Sequence, residues 1–203
     1  MLPEVSLPDL QTLTWKAADS LPELSEKYDD SRWVEANITN TTNPNTPETP
    51  VSLYSGDYGY HTGHILWRGH FKALGGETKL SLNVYGGKGF AYSAFDNGRL
   101  INSFNGAKNN GNNAAVFDLA SEWKEGEEHV ITILQDHMGY AMSWTANKEL
   151  YKDPRGIFGY NFTTSDGTLI KHTDATWKVQ GNLGGEDVSL LRSNGAANIR
   201  ISH

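Results

Sequence analysis

Apolar and polar residues alternate one by one along much of the chain. Between positions 78 and 85, Leu80, Leu82 and Val84 fall on one side and Lys79, Ser81 and Asn83 on the other. A period of two is the spacing of a half-buried strand. The run 64–71 repeats the pattern: Ile65, Trp67, Gly69 and Phe71 share one face, and His64, Arg68 and His70 share the other. Gly69, within that strand, marks a close approach of another backbone. Further strands are predicted at 12–17, 89–95, 99–104, 114–118, 128–135, 140–145, 157–163 and 175–180. Gly75-Gly76, Gly86-Gly87, Asn97-Gly98, Asn110-Gly111 and Asp166-Gly167 punctuate them as turns. Helical pattern is confined to two turns at 21–28 and one at 119–123. Short strands at regular spacing with Gly and Asn turns predict an all-β antiparallel sandwich or barrel. No internal repeat is visible, and the Asn/Thr/Pro-rich stretch 39–50 reads as an exposed loop. The 203 residues read as one domain.

Composition narrows the function classes. With 17 Lys and Arg against 24 Asp and Glu, the net charge is −7. That balance argues against nucleic acid or an anionic membrane as the main partner. No apolar run approaches the roughly 20 residues of a membrane-spanning helix. Cysteine is absent, which excludes disulfides, thiolate catalysis and Cys-ligated zinc. Residues 1–4 carry neither the basic nor the apolar part of a signal peptide. Three glycosylation sequons nevertheless occur, at Asn37, Asn40 and Asn161, two of them crowded into one polar stretch. They point to a secreted protein whose leader is not part of this chain.

The chemistry-bearing residues form no hydrolytic motif. His61, His64 and His70 are close in sequence, but His64 and His70 lie about 20 Å apart along one strand face and do not share a metal. Asp96, Asp118, Asp136 and Glu186 show no spacing that pairs two carboxylates across a sugar. Neither a G-x-S-x-G elbow nor a Walker loop is present, and Gly86-Gly87-Lys88-Gly89 lies between strands, as a hairpin does. The aromatics Tyr54, Tyr58, Tyr60, Tyr92, Trp123, Tyr140, Trp144 and Tyr160 stand outside the clearest core positions. Sugars and apolar ligands both use such rings as walls. Tyr58, Tyr92 and Trp144, with Asp136 for hydroxyls, are the candidate binding residues. Trp144 leads because it follows the polar stretch Asp136-His137-Met138-Gly139. Arg155, after Pro154, is a further candidate.

Several stretches, taken in order, resemble a known family. They are Ser20-Leu21-Pro22-Glu23-Leu24 and Tyr28-Asp29-Asp30-Ser31-Arg32-Trp33, then Thr49-Pro50-Val51-Ser52-Leu53-Tyr54 and Asp57-Tyr58-Gly59-Tyr60-His61-Thr62-Gly63. Trp67-Arg68-Gly69-His70-Phe71, Asn97-Gly98, Val130-Ile131-Thr132-Ile133, Pro154-Arg155-Gly156 and Trp177 with Gly181-Asn182-Leu183-Gly184-Gly185-Glu186-Asp187 complete the set. From about Pro8 to Asp187 the chain resembles the jelly-roll, galactose-binding-like domain that follows the catalytic barrel in fungal glycoside hydrolase family 35 β-galactosidases. The resemblance implies a jelly-roll sandwich that binds carbohydrate, galactosides first, without hydrolysing it, because the family's catalytic glutamates sit on the barrel. The tail 188–203 departs from the pattern. No cofactor or metal is expected; jelly rolls leave room for a structural calcium, which no motif here supports.

A second expectation comes from the scaffold standing alone. A recruited fungal secondary-metabolite enzyme, a hetero-Diels–Alderase, needs only an apolar pocket and a few hydrogen-bond donors. Arg68, His64, His137 and Arg155 are its candidate catalytic residues. The two readings differ in what they require: an open groove with aromatic and polar walls for a glycan, or an enclosed apolar pocket for a reactive polyketide or terpene.

Overall fold

The computed structural model describes residues 21–41, 43, 45–106, 112–140 and 155–181. Among the described residues, ten strands follow one another: β1 (Val34–Glu35), β2 (Gly63–Lys72), β3 (Lys79–Tyr85), β4 (Phe90–Asp96), β5 (Arg99–Phe104), β6 (Asn112–Asp118), β7 (Glu128–His137), β8 (Gly156–Thr163), β9 (Leu169–Ile170) and β10 (Thr176–Gln180). They build a six-stranded sheet in the order β1-β10-β2-β7-β4-β5 and a four-stranded sheet in the order β6-β3-β8-β9. All pairings are antiparallel. The expected all-β sandwich is therefore what the chain forms.

The alternation read from the sequence becomes the interior. Trp67 and Phe71 of β2, Phe90, Tyr92 and Ala94 of β4, and Ile131 and Ile133 of β7 face Leu80, Leu82 and Val84 of β3 and Ile157 and Phe162 of β8 in one buried cluster. Each such side chain contributes about 1.5–3 kcal/mol by leaving water. The β4–β5 hairpin turns on Asn97 and Gly98, whose φ values of 46° and 83° are the left-handed pair that a tight two-residue hairpin demands. Gly69 meets the Trp177 indole rather than another backbone: a Cβ there would lie 2.7 Å from Trp177 and from Phe71.

The larger sheet is covered on its second face as well. Leu66 and Arg68 of β2 point away from the sandwich interior, yet both are fully buried, with residues 23–30 hydrogen-bonded to Arg68. That covering segment holds one short 3-10 turn, Pro22–Leu24, in place of the two helical turns expected at 21–28. Residues 119–123 are not helical. Leu119 and Trp123 donate their N–H groups to Thr78 O and Glu77 O, both at 2.9 Å, so long-range pairing takes the bonds a helix would have used. The two-residue strands β1 and β9 are too short for any periodicity to show. The strands expected at 12–17 and, beyond Tyr140, at 140–145 lie outside the described residues, as do Trp144 and the tail 188–203. Among the described residues, no helix is long and apolar enough to cross a membrane.

Candidate ligand groove

Strand β8 has a partner on one side for its whole length and only short partners on the other. On that second side, Glu48 N–H reaches Phe158 O at 2.8 Å and β9 pairs with Phe162 and Thr163. Between these two contacts a groove of about 340 Å³ opens, walled by Tyr160, Phe162, Pro50 and Ile170 and rimmed by Glu48, Asn161 and Lys171. The Glu48 side chain lies across Gly159, where a Cβ would come within 3.0 Å of its carboxylate. Tyr160 is held edge-on to Phe71 at 5.8 Å and tilted against Trp177 at 5.3 Å, so the ring is fixed before any ligand arrives. Burial raises its hydroxyl pKa, which keeps it a neutral donor and acceptor.

The residues singled out from sequence are scattered relative to this groove. Tyr92 is in the core, stacked on Phe104 at 5.4 Å, its pKa raised to about 12 by burial. A ligand cannot reach it. Tyr58 donates to Ser52 O at 2.9 Å and accepts the Ile38 N–H at 3.2 Å, pinning two loops. Asp136 and His64 face each other at 3.6 Å on the surface, both more than half exposed. Arg68 has no exposed side-chain surface and binds Asp30 at 2.7 Å, so it cannot activate a substrate. The sequence signal for its burial was absent, because the covering segment has no periodicity of its own.

The structure does bring His137 and Arg155 together. They flank a cleft of about 10 Å³ with Gly56, Gly139 and Tyr140. Arg155 donates to Gly139 O at 2.8 Å, and its guanidinium rests where a Cβ on Gly89 would stand, 2.5 Å away. His137 Nε2 lies 3.0 Å from Ser55 Oγ, and its Nδ1 accepts the Gly139 N–H at 3.3 Å. Those partners assign the neutral tautomer with the proton on Nε2. Burial and the Arg155 charge lower the His137 pKa, in keeping with that form. Gln135 donates to the same Ser55 Oγ at 2.9 Å and accepts from the Trp67 indole at 3.1 Å. The Gly139 N–H occupies Nδ1, and among the described residues no carboxylate hydrogen-bonds that nitrogen, so this Ser–His contact lacks the orienting carboxylate of a nucleophilic triad. Among the described residues, no three metal-ligating side chains converge.

The sequence profile of the β-galactosidase second all-β domain matches residues 28–141, more than half of the chain. The chain belongs to that family. The β-galactosidase A of Aspergillus oryzae is 42% identical over 186 residues, which are 91% of this chain and 18% of that enzyme. The β-galactosidase A of Aspergillus niger is 41% identical, and the probable β-galactosidase A of Emericella nidulans 40%, over the same shares. The chain thus spans about a fifth of the length of these curated relatives, 18% in each case. The resemblance read from the sequence is borne out.

Within this second all-β domain, the profile match ends at residue 141 and so includes Glu48 and Pro50 of the groove but not β8. Neither Glu48 nor Lys171 was found from sequence. Each is an ordinary exposed charge in its own segment, and only the pairing at the β8 edge brings them to one groove. Tyr160 stood among the aromatics read as outside the clearest core; it is half-buried, packed against the core and lining the groove.

Proposed function

We propose that the domain binds a small carbohydrate, a galactoside foremost, in the groove beside Tyr160, and does not hydrolyse it. The observation that carries this is the wall composition. A fixed aromatic ring and the Pro50 and Ile170 surfaces lie beside one carboxylate, one carboxamide and one ammonium group, with Thr49, His172 and Thr173 completing the lining. Sugars present apolar C–H faces and hydroxyl edges, and such a mixture answers both. The volume of about 340 Å³ falls in the range of about 300–1,000 Å³ usual for small-ligand sites. Glycoside hydrolysis needs two carboxylates about 5–10 Å apart, and among the described residues Glu48 is the one carboxylate lining the groove. The kinship with β-galactosidases makes galactosides the first ligands to try.

The hetero-Diels–Alderase reading asks for an enclosed apolar pocket. The groove is rimmed with charge, and the His137–Arg155 cleft of about 10 Å³ admits no polyketide, so the carbohydrate reading stands ahead. The secretory route expected from the sequons is supported by the exposure of Asn37, Asn40 and Asn161. The net charge of −7 supports neither nucleic acid nor anionic lipid as partner.

Titration calorimetry with galactose, lactose and cellobiose tests the reading on the unglycosylated chain. Saturable heat with galactose and lactose, strongly weakened in Lys171→Ala and Glu48→Ala, is the expected result. Binding that survives both substitutions, or no heat with any sugar, overturns the assignment.

A further inference from the structure

We infer that Asn161 carries an N-linked glycan whose first sugar sits in this same groove, so that the protein's own glycan occupies it in the secreted form. The inference rests on the proposed affinity of the groove for sugars. Its observations are separate. Asn161 and Thr163 form the sequon, and residues two apart on a strand share one face. Tyr160 and Phe162, on either side of Asn161, turn inward, while Asn161 is exposed. Its β3 neighbour is Ser81, a small side chain that leaves the carboxamide uncovered. Asn161 is itself part of the groove rim, with Tyr160, Phe162 and Lys171. An N-acetylglucosamine joined to Asn161 Nδ2 therefore starts at the groove mouth.

Tethering then decides the competition. A ligand on a short linker experiences an effective concentration in the mM range. A free galactoside of modest affinity is outcompeted by a sugar covalently held beside the same wall. Asn37 and Asn40 are exposed but line no part of this groove, so their glycans serve as internal references.

The test secretes the full 203-residue chain from a eukaryotic host and maps its glycopeptides. Asn161 is expected to be occupied. In the intact glycoprotein, the N-acetyl methyl NMR signal of its first sugar is expected to shift upfield, beside the half-buried Tyr160 ring at the groove, relative to the sugars on Asn37 and Asn40. A bare Asn161, or a methyl signal that coincides with the references, overturns the inference. Thr163→Ala removes the sequon and spares every groove residue, and bacterially produced wild-type chain gives the same bare surface if that substitution harms folding. Lactose is expected to bind these bare forms at least tenfold more tightly than the glycosylated protein. A shifted methyl with no lactose binding to any form would uphold the seated glycan and sink only the galactoside reading.

Discussion

Arg68 donates from Nε to Asp30 Oδ2 at 2.7 Å; the Arg68 side chain is fully buried and that of Asp30 nearly so. His70 Nε2 at 2.7 Å and Lys178 Nζ at 2.9 Å complete a ring of donors around the same carboxylate. The Arg68 guanidinium also donates to Glu23 O, and to Ser25 O at 3.1 Å, and lies 5.6 Å over the Tyr28 ring and 6.0 Å over Trp33. One carboxylate thus fastens the covering segment to the sheet. Asp30→Ala leaves Arg68 buried without its counter-ion, and a loss of about 3–5 kcal/mol is expected. Urea unfolding of the variant beside wild type measures it.

The same carboxylate sets the acid limit. Burial works against its charge, but the bonds from Lys178, Arg68 and His70 outweigh burial and hold the pKa at about 2, against 3.8 unperturbed. A depressed folded pKa gives stability that is complete above the unfolded value and is lost as pH falls through the folded one. About 2 kcal/mol is therefore expected to disappear between about pH 4 and pH 2. Urea midpoints taken across that window should fall in wild type, and the Asp30→Ala variant should lack this component of the slope.

His129 gives a dependence of opposite sign. It stacks on Trp123 at 4.1 Å and lies 3.2 Å from Asp96 and 3.5 Å from Glu127. Burial disfavours the imidazolium, yet the two carboxylates outweigh burial and raise the pKa above 6.5. Its contribution is complete below that unfolded value and is lost as pH rises through the raised one. Midpoints measured from pH 6 to pH 9 are expected to decline in wild type and to stay nearly level in His129→Gln.

These charge clusters mark where the sequence stops being legible. The interior faces of β2, β3 and β4 could be read because a strand announces its buried side every second residue. The phase that puts Phe90 and Ala94 inside also puts Tyr92 inside, so its core position was available from the pattern and its candidacy as a ligand wall was avoidable. Arg68 was not readable in this way. It sits on the polar phase of β2, and its burial depends on a loop-like segment that packs through hydrogen bonds rather than periodic apolar residues. The groove was hidden for a related reason, since Glu48, Tyr160 and Lys171 belong to three segments that meet only at the edge of β8.

Gly69 offers a test of packing alone. A Cβ at this position meets Trp177 at 2.7 Å and Phe71 at 2.7 Å, both rings belonging to the filled core. Neither ring can withdraw without displacing others, because Phe71 also touches Trp123, Tyr160 and Phe162. Gly69→Ala is expected to cost about 1–3 kcal/mol, the usual penalty of overpacking. The gain that alanine brings by restricting the unfolded chain, under about 1 kcal/mol, is too small to offset it. A variant as stable as wild type would show that the Trp177 indole has room to move.

Groove substitutions should separate binding from stability. Lys171 and Glu48 are exposed, and exposed side chains outside special features change stability by about 0.5 kcal/mol or less. In the proposed binding mode each hydrogen-bonds a sugar hydroxyl, and a hydrogen bond to a charged group is worth about 1.5–3 kcal/mol. Lys171→Ala and Glu48→Ala are therefore each expected to weaken galactoside binding at least tenfold while leaving the melting temperature nearly unchanged. Tyr160→Phe keeps the ring face and removes the hydroxyl. If stacking dominates recognition, it should bind almost as well as wild type, whereas Tyr160→Leu should lose binding and, because Tyr160 packs on Phe71 and Trp177, stability as well. Calorimetry and thermal unfolding on the same four proteins distinguish these effects. Equal loss of affinity in Tyr160→Phe and Tyr160→Leu would move the recognition from the ring to its hydroxyl.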